Sequence, residues 1–277
     1  MRKEEIKKTV REGYAQVAKG KGSCCGPQNT SCCCSVDTTR EISKGIGYTE
    51  EDINAVPEGA NLGLGCGNPV ALASLKAGDV VLDLGSGAGF DCFLASPCVG
   101  KTGRVIGVDM TPEMLEKARE NSIKGGYENV EFRLGEIENL PVADNYVDII
   151  ISNCVINLSP DKDRVFQEAY RVLKPGGRLM VSDIVLLEEL PETVQKSISA
   201  YIGCLAGASL KDKYIESIRM AGFKDVKIID ETSFGTEYMS NDPTAQGILS
   251  DASLSRSDLK KVGKAVRSIK VSAVKPA

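Results

Sequence analysis

Val80-Val81-Leu82-Asp83-Leu84-Gly85-Ser86-Gly87-Ala88-Gly89 joins a short apolar run to a loop with glycine at every second position. A strand buried on both faces reads as a near-continuous hydrophobic run, and glycines after it permit a tight turn that a ligand can approach closely. Outward from this segment the pattern alternates. It predicts helix over Phe90–Ser96, strand over Arg104–Val108, helix over Pro112–Lys124 and strands over Val130–Leu134 and Val147–Ser152. Helix over Asp161–Leu173 and strand over Arg178–Val185 follow, with Lys174-Pro175-Gly176-Gly177 as the stop and turn between them. Strands alternating with helices predict an α/β fold with a doubly wound, mostly parallel sheet.

The flanks read differently. Ile6, Val10, Tyr14 and Val17 recur at helical spacing over Lys3–Ala18, whereas Gly20–Thr39 reads as a polar, glycine-punctuated loop. Thr49 is an N-cap for a short helix that Pro57 ends, and a short helix is expected from Pro69 to Leu75. Beyond Glu189, helices are expected at Glu192–Leu205 and Lys211–Ala221, with Val226–Ile229 and Ser268–Val274 as further strands completing the sheet edge and Phe234–Arg256 on the surface. This divides the chain into an N-terminal helix and Cys-rich segment (1–47), a core (48–186) and a C-terminal capping segment (187–277).

With 277 residues, 42% of them hydrophobic and 26% charged, the chain can bury a full core. A net charge of −4 gives no electrostatic reason to expect nucleic acid or an anionic membrane as a partner. Met1–Lys8 is charged, with no apolar signal core behind it, and no run is long enough to cross a bilayer, so the cytoplasm is the expected location.

Ten cysteines in such a chain point to reactive thiols or metal binding. Five crowd into Cys24-Cys25 and Cys32-Cys33-Cys34. With no histidine anywhere, mixed Cys/His zinc sites and an imidazole base are both excluded. Cys154 ends Asp148-Ile149-Ile150-Ile151-Ser152-Asn153-Cys154, so a soft sulfur is aimed at the crevice outside the carboxyl ends of the strands. Cys66 in Gly65-Cys66-Gly67 and Cys204 in Gly203-Cys204-Leu205 have small neighbours that leave the sulfur accessible, and three such thiols suggest a soft substrate. Cys92 and Cys98 lie within or near the helix after the glycine loop and read as small hydrophobes.

The loop alone is compatible with a nicotinamide cofactor, for which Asp109 would be the ribose acid. Yet Asp83 in Leu82-Asp83-Leu84-Gly85-Ser86-Gly87-Ala88-Gly89, followed by Val108-Asp109-Met110-Thr111-Pro112 and Gly135-Glu136-Ile137, resembles the class I S-adenosylmethionine methyltransferases. That resemblance implies a Rossmann-like core. The loop residues Gly85, Ser86, Gly87 and Gly89 would admit the cofactor's tail and ribose, Asp109 would accept the ribose hydroxyls, and Glu136 the adenine amine. Met110 and Ile137 would flank the ring, and Asn153 would lie near the methionine portion.

Three further motifs sharpen it. Gly63-Leu64-Gly65-Cys66-Gly67-Asn68-Pro69, Asn153-Cys154-Val155-Ile156-Asn157-Leu158 and Gly203-Cys204-Leu205-Ala206-Gly207 resemble the arsenite methyltransferase family over roughly Tyr48–Ile228. The resemblance implies that Cys66, Cys154 and Cys204 bind trivalent arsenic, supplied as arsenite or its thiol conjugates. A fourth, upstream cysteine with a redox role falls best on Cys34, then Cys33. It further implies a glutathione-like or thioredoxin-like reductant. Two rivals stand beside this reading: a C- or O-methyltransferase of the quinone or sterol type, and a non-catalytic thiol sensor of metalloids.

Overall fold

A computed structural model describes residues 3–19, 36–190, 207–233 and 256–277. Strands β1 (Val80–Leu84), β2 (Arg104–Asp109), β3 (Val130–Leu134), β4 (Val147–Asn153), β5 (Leu173–Leu186), β6 (Lys224–Ser233) and β7 (Val266–Val274) form one seven-stranded sheet in the order β3-β2-β1-β4-β5-β7-β6. The first five pair in parallel, and β7 inserts antiparallel between β5 and β6. The order reverses beside β1, where β2 lies on one side and β4 on the other, and such a switch point opens a crevice at the carboxyl ends of the strands.

Strand alternation assigns the two faces. Val81, Val105, Ile149 and Ile151 pack with Phe93 of α5 (Phe90–Val99) and Leu115 and Ala118 of α6 (Pro112–Gly125). Leu82, Leu84, Ile106 and Ile150 pack with Val165, Phe166 and Ala169 of α7 (Lys162–Val172) and with Tyr214 and Ile218 of α8 (Lys211–Met220). Neighbouring strand residues point to opposite faces, so a strand covered on both reads as a near-continuous apolar run.

A third apolar cluster sits at the carboxyl ends. Val10 of helix α1 (Lys3–Ala18) is fully buried there with Cys66, Cys154, Leu158, Ile184 and Leu186, joined by Val262 and Ala265 of α9 (Arg256–Ala265). Three ion pairs tie α1 and the residue after it to segments that follow successive strands: Lys19 to Glu113 at 2.8 Å, Lys7 to Glu136 at 2.7 Å and Lys3 to Asp161 at 2.6 Å. Helix α1 therefore crosses the carboxyl edge of the sheet.

The expected core strands and helices are present within a few residues of their limits. Strand β5 begins at Leu173 because that residue pairs with Val147 ahead of a register shift, so the expected turn at Lys174–Gly177 lies inside the strand. The loop expected to run to Thr39 stops earlier, since α2 (Val36–Gly45) is helical; its first residues also follow an unbroken polar stretch, which hid the start. Helix α3 (Glu50–Asn54) has its expected Thr49 cap, with Asp52 completing a reciprocal capping box, and α4 (Pro69–Leu72) is one turn long. The expected helix Glu192–Leu205 and most of Phe234–Arg256 lie outside the described residues.

Ile150 is fully buried at the centre of the sheet. Ile150→Ala is expected to lower unfolding free energy by about 2–5 kcal/mol, read from the urea midpoint at unchanged slope.

Candidate active site

Asn153, the last residue of β4, organises the switch point. Its Oδ1 accepts the Cys66 backbone N–H at 2.9 Å, while its Nδ2 donates to the Gly67 carbonyl at 2.8 Å, the Tyr48 hydroxyl oxygen at 2.9 Å and Asp91 Oδ2 at 3.2 Å. Tyr48 donates in turn to Asp91 Oδ1 at 2.6 Å. One amide thus clips the Cys66 loop to the end of β4 and to the first turn of α5.

The glycines beside Cys66 are required by this closeness. A Cβ on Gly65 would stand 2.7 Å from the Asn153 amide, and one on Gly67 would stand 2.5 Å from Ser182 Oγ. Cys154, next in the chain, has φ +61, a left-handed backbone unusual for a side-chain-bearing residue, and its N–H donates to the Ser182 carbonyl at 2.8 Å.

Two of the three sulfurs expected to converge do so. The Cys66 and Cys154 sulfurs and a carboxylate oxygen of Asp183 all lie within 4.8 Å of one another, and all three residues are buried. Cys204 and Cys34 lie outside the described residues. Cys92 is buried and donates to Asp83 at 3.2 Å, and Cys98 is exposed; neither joins the cluster.

Asp183 was not singled out from the sequence, though an acid in the apolar run Leu179-Met180-Val181-Ser182-Asp183-Ile184-Val185 is a signal that could have found it. It accepts from Asn157 Nδ2 at 2.7 Å, Tyr214 Oη at 2.9 Å and the Ile184 N–H at 3.0 Å. Burial outweighs these donors and raises its pKa to about 7. Tyr214 is held well above the ordinary phenol range by burial, then by Asp183, with Cys66 and Cys154 adding to the effect. In the neighbouring network burial likewise raises Asp91 to about 6, against the hydrogen bonds from Tyr48 and Asn153, and pushes Asp83 well above the usual carboxylate range with help from Asp91.

The glycine loop divides its work. Gly85 has φ +68 and a Cβ there would stand 2.3 Å from Val155, while Gly89 has φ +95 and would clash with Phe93 at 2.7 Å. Gly87, at φ +52, meets nothing within 4 Å, so it is the glycine that faces open space. Asp109 accepts the Gly87 N–H at 3.0 Å and the Thr111 N–H at 2.8 Å. Met110 packs on the cluster around Cys66 and Cys154, Ile137 is buried, and Glu136 holds the Lys7 ammonium.

Residues 75–222 match the family model described as a methyltransferase domain. An arsenic(III) S-adenosylmethionine methyltransferase from Chlamydomonas reinhardtii superposes with a TM-score of 0.62 at 33% identity, covering 87% of this chain and 73% of that one. The chain belongs to the arsenite methyltransferase family. Family members from Halobacterium salinarum and Homo sapiens are 51% and 39% identical to it over 86% and 75% of its length. The chain spans 62% and 55% of those two relatives. In this chain the glycine loop and the Cys66 and Cys154 segments lie at the crevice described above.

Two predictions follow from this geometry. Gly67→Ala, which drives a methyl into Ser182, is expected to cost about 1–3 kcal/mol in urea unfolding, whereas Gly87→Ala, facing open space, pays only its left-handed backbone, about 1–2 kcal/mol. For Asp183, the folded state keeps a proton that the unfolded chain loses near the ordinary carboxylate pKa. Its contribution is therefore complete below about pH 4 and is lost as pH rises through about 7, a change on the order of a few kcal/mol. Asp183→Asn should flatten the fall in urea stability between pH 5 and 8.

Proposed function

We propose that this chain transfers methyl groups from S-adenosylmethionine to trivalent arsenic held by thiolates, as a detoxifying reaction. The observation that carries the reading is the convergence of the Cys66 and Cys154 sulfurs at the switch point, from segments 88 residues apart in the sequence numbering, beside the glycine loop. Cys204 is the third sulfur of the proposed set.

The residues present fit the cofactor. Ser86 Oγ is buried in the glycine loop with no hydrogen-bond partner among the described residues, Gly87 leaves open space, and the Asp109 carboxylate is held against that loop by the Gly87 N–H. Gly85, Ser86, Gly87 and Gly89 would cradle the tail and ribose, Asp109 the ribose hydroxyls, Glu136, Ile137 and Met110 the adenine, and Asn153 with Asp83 the amino-acid end. When bound, S-adenosylmethionine supplies an electrophilic methyl on a sulfonium centre.

The chain's own task is orientation. Trivalent arsenic is soft, prefers thiolates and carries its lone pair at the apex of a pyramid. Cys66 and Cys154 displace arsenic-bound hydroxyls, each thiol proton leaving with hydroxide as water, and fix the direction of that lone pair. A lone pair needs no deprotonation, so the reaction asks for no general base and tolerates a chain without histidine. Positioning of this kind is worth effective molarities of about 10⁵–10⁸ M in favourable cases. Helix α1 and the surrounding Leu158, Ile184 and Leu186 keep the sulfurs dry.

Methylation oxidises arsenic towards the pentavalent state, and a glutathione-like or thioredoxin-like thiol is the proposed source of the electrons that restore As(III). Cys34, within the N-terminal cysteine cluster, is the proposed exchange partner. The proposed division assigns 1–47 to that thiol chemistry, 48–186 to the cofactor core and 187–277 to closing over the substrate.

The test is methylation of As(III) with methyl-labelled cofactor and excess thiol. Cys66→Ser and Cys154→Ser are each expected to lower kcat/KM about a hundredfold or more with the fold intact by circular dichroism. Undiminished transfer in both variants would refute the thiolate site, and methylation of a quinone-type acceptor in place of arsenic would replace the reading.

A further inference from the structure

Asp183 has the placement of a substrate-reading group. It is fully buried, and a carboxylate oxygen of its side chain lies within 4.8 Å of both sulfurs. Its hydrogen-bond donors among the described residues, the Asn157 amide, the Tyr214 hydroxyl and the Ile184 N–H, are all neutral. A carboxylate offers about four acceptor positions, so three donors leave capacity for one more, and a buried anion gains most from a donor delivered to it. The Asn157 and Ile184 bonds converge on Oδ1 and the Tyr214 bond on Oδ2, which fixes the plane of the group.

We propose that Asp183 determines which arsenic species the two sulfurs capture, by accepting a hydrogen bond from the hydroxyl that stays on arsenic after Cys66 and Cys154 have each displaced one. The inference rests on the arsenic-binding reading and adds to it a specificity-determining residue. Starting from As(OH)₃, each new S–As bond replaces one As–O bond, and the thiol proton departs with the leaving hydroxide as water. Two exchanges release two waters and leave a dithiolate As–OH, with arsenic still trivalent. Its O–H is a donor presented beside Asp183. An arsenical with one carbon substituent, such as phenylarsonous acid, C₆H₅As(OH)₂, makes the same two S–As bonds. It then carries carbon where the hydroxyl would be and offers Asp183 no donor. Exchange of the last hydroxyl for a third thiol ends the interaction, so Asp183 acts at capture and not on the fully thiolated complex.

The experiment uses the full chain with Cys24, Cys25, Cys32, Cys33, Cys34 and Cys204 each replaced by serine, which confines vicinal binding to Cys66 and Cys154 and stops capture at the dithiolate. Arsenite and phenylarsonous acid compete at pH 8, and native mass spectrometry reads the two adducts. Asp183→Ala is expected to lower the preference for arsenite over the phenyl compound about tenfold or more, through loss of arsenite binding alone. Asp183→Asn retains an acceptor for Asn157 and Ile184, covers the case in which the alanine variant fails to fold, and should shift the preference in the same direction. An unchanged ratio in the folded variants, or equal weakening of both arsenicals, overturns the proposal and leaves Asp183 a structural group. Binding of neither arsenical with Asp183 intact overturns the arsenic-binding reading itself.

Discussion

The Asn153 side chain is the interaction on which the rest of the site depends. It terminates a central parallel strand, where it pairs with Ser182 of β5 directly after Ser152, which pairs with Leu84 of β1. From there it spends both ends of its amide on the Cys66 loop and the Tyr48–Asp91 pair. The rigid part of the fold is the sheet, and the loop bearing Cys66 has only one turn of helix behind it in α4. Such a loop holds a sulfur in a fixed place only when its backbone groups are tied to something that does not move. The buried amide does this, and the absence of Cβ atoms at Gly65 and Gly67 lets the loop come close enough to be tied.

Around that clip the electrostatics are unusual for an enzyme site. Asp183 is buried beside the sulfurs, and Asp83 and Asp91 are buried in the strand before the glycine loop and the helix after it, each with its pKa raised by burial. Crowded acids of this kind favour ligands that bring positive charge or hydrogen-bond donors, and a sulfonium cofactor with an ammonium tail brings both. A soft electrophile that exchanges hydroxyls for thiols fits the other half of the site. The same burial destabilises the protein as pH rises, a cost that the apolar faces of the sheet offset.

Much of this was legible in the sequence because parallel strands announce themselves. Val80–Leu84 and Val130–Leu134 were bounded to the residue, the first as a mostly apolar run and the second as an alternation of apolar and charged residues, each ended by glycine. The meeting of Cys66 with Cys154 was also legible, though only through the motifs around them, because no periodicity relates a loop to a distant strand end. What escaped is equally physical. Asp183 left only the signal of an acid in an apolar run, while Tyr214, Tyr48 and Asp91 look ordinary locally, and the roles of all four exist only through hydrogen bonds across 31 to 43 positions or through proximity to sulfur. The insertion of β7 between β5 and β6 escaped too, since antiparallel pairing at a sheet edge depends on register between strands, which the pattern of one strand does not carry. Helix α2 was lost in the polarity of its surroundings.

Diffraction at the arsenic absorption edge directly tests the placement of one atom between two sulfurs. Crystals of the chain soaked with arsenite are predicted to give an anomalous peak bonded to both Cys66 Sγ and Cys154 Sγ, at the carboxyl end of β4 and beside Asp183. A peak confined to the N-terminal cysteines, with the Cys66 and Cys154 side chains turned apart, would contradict it.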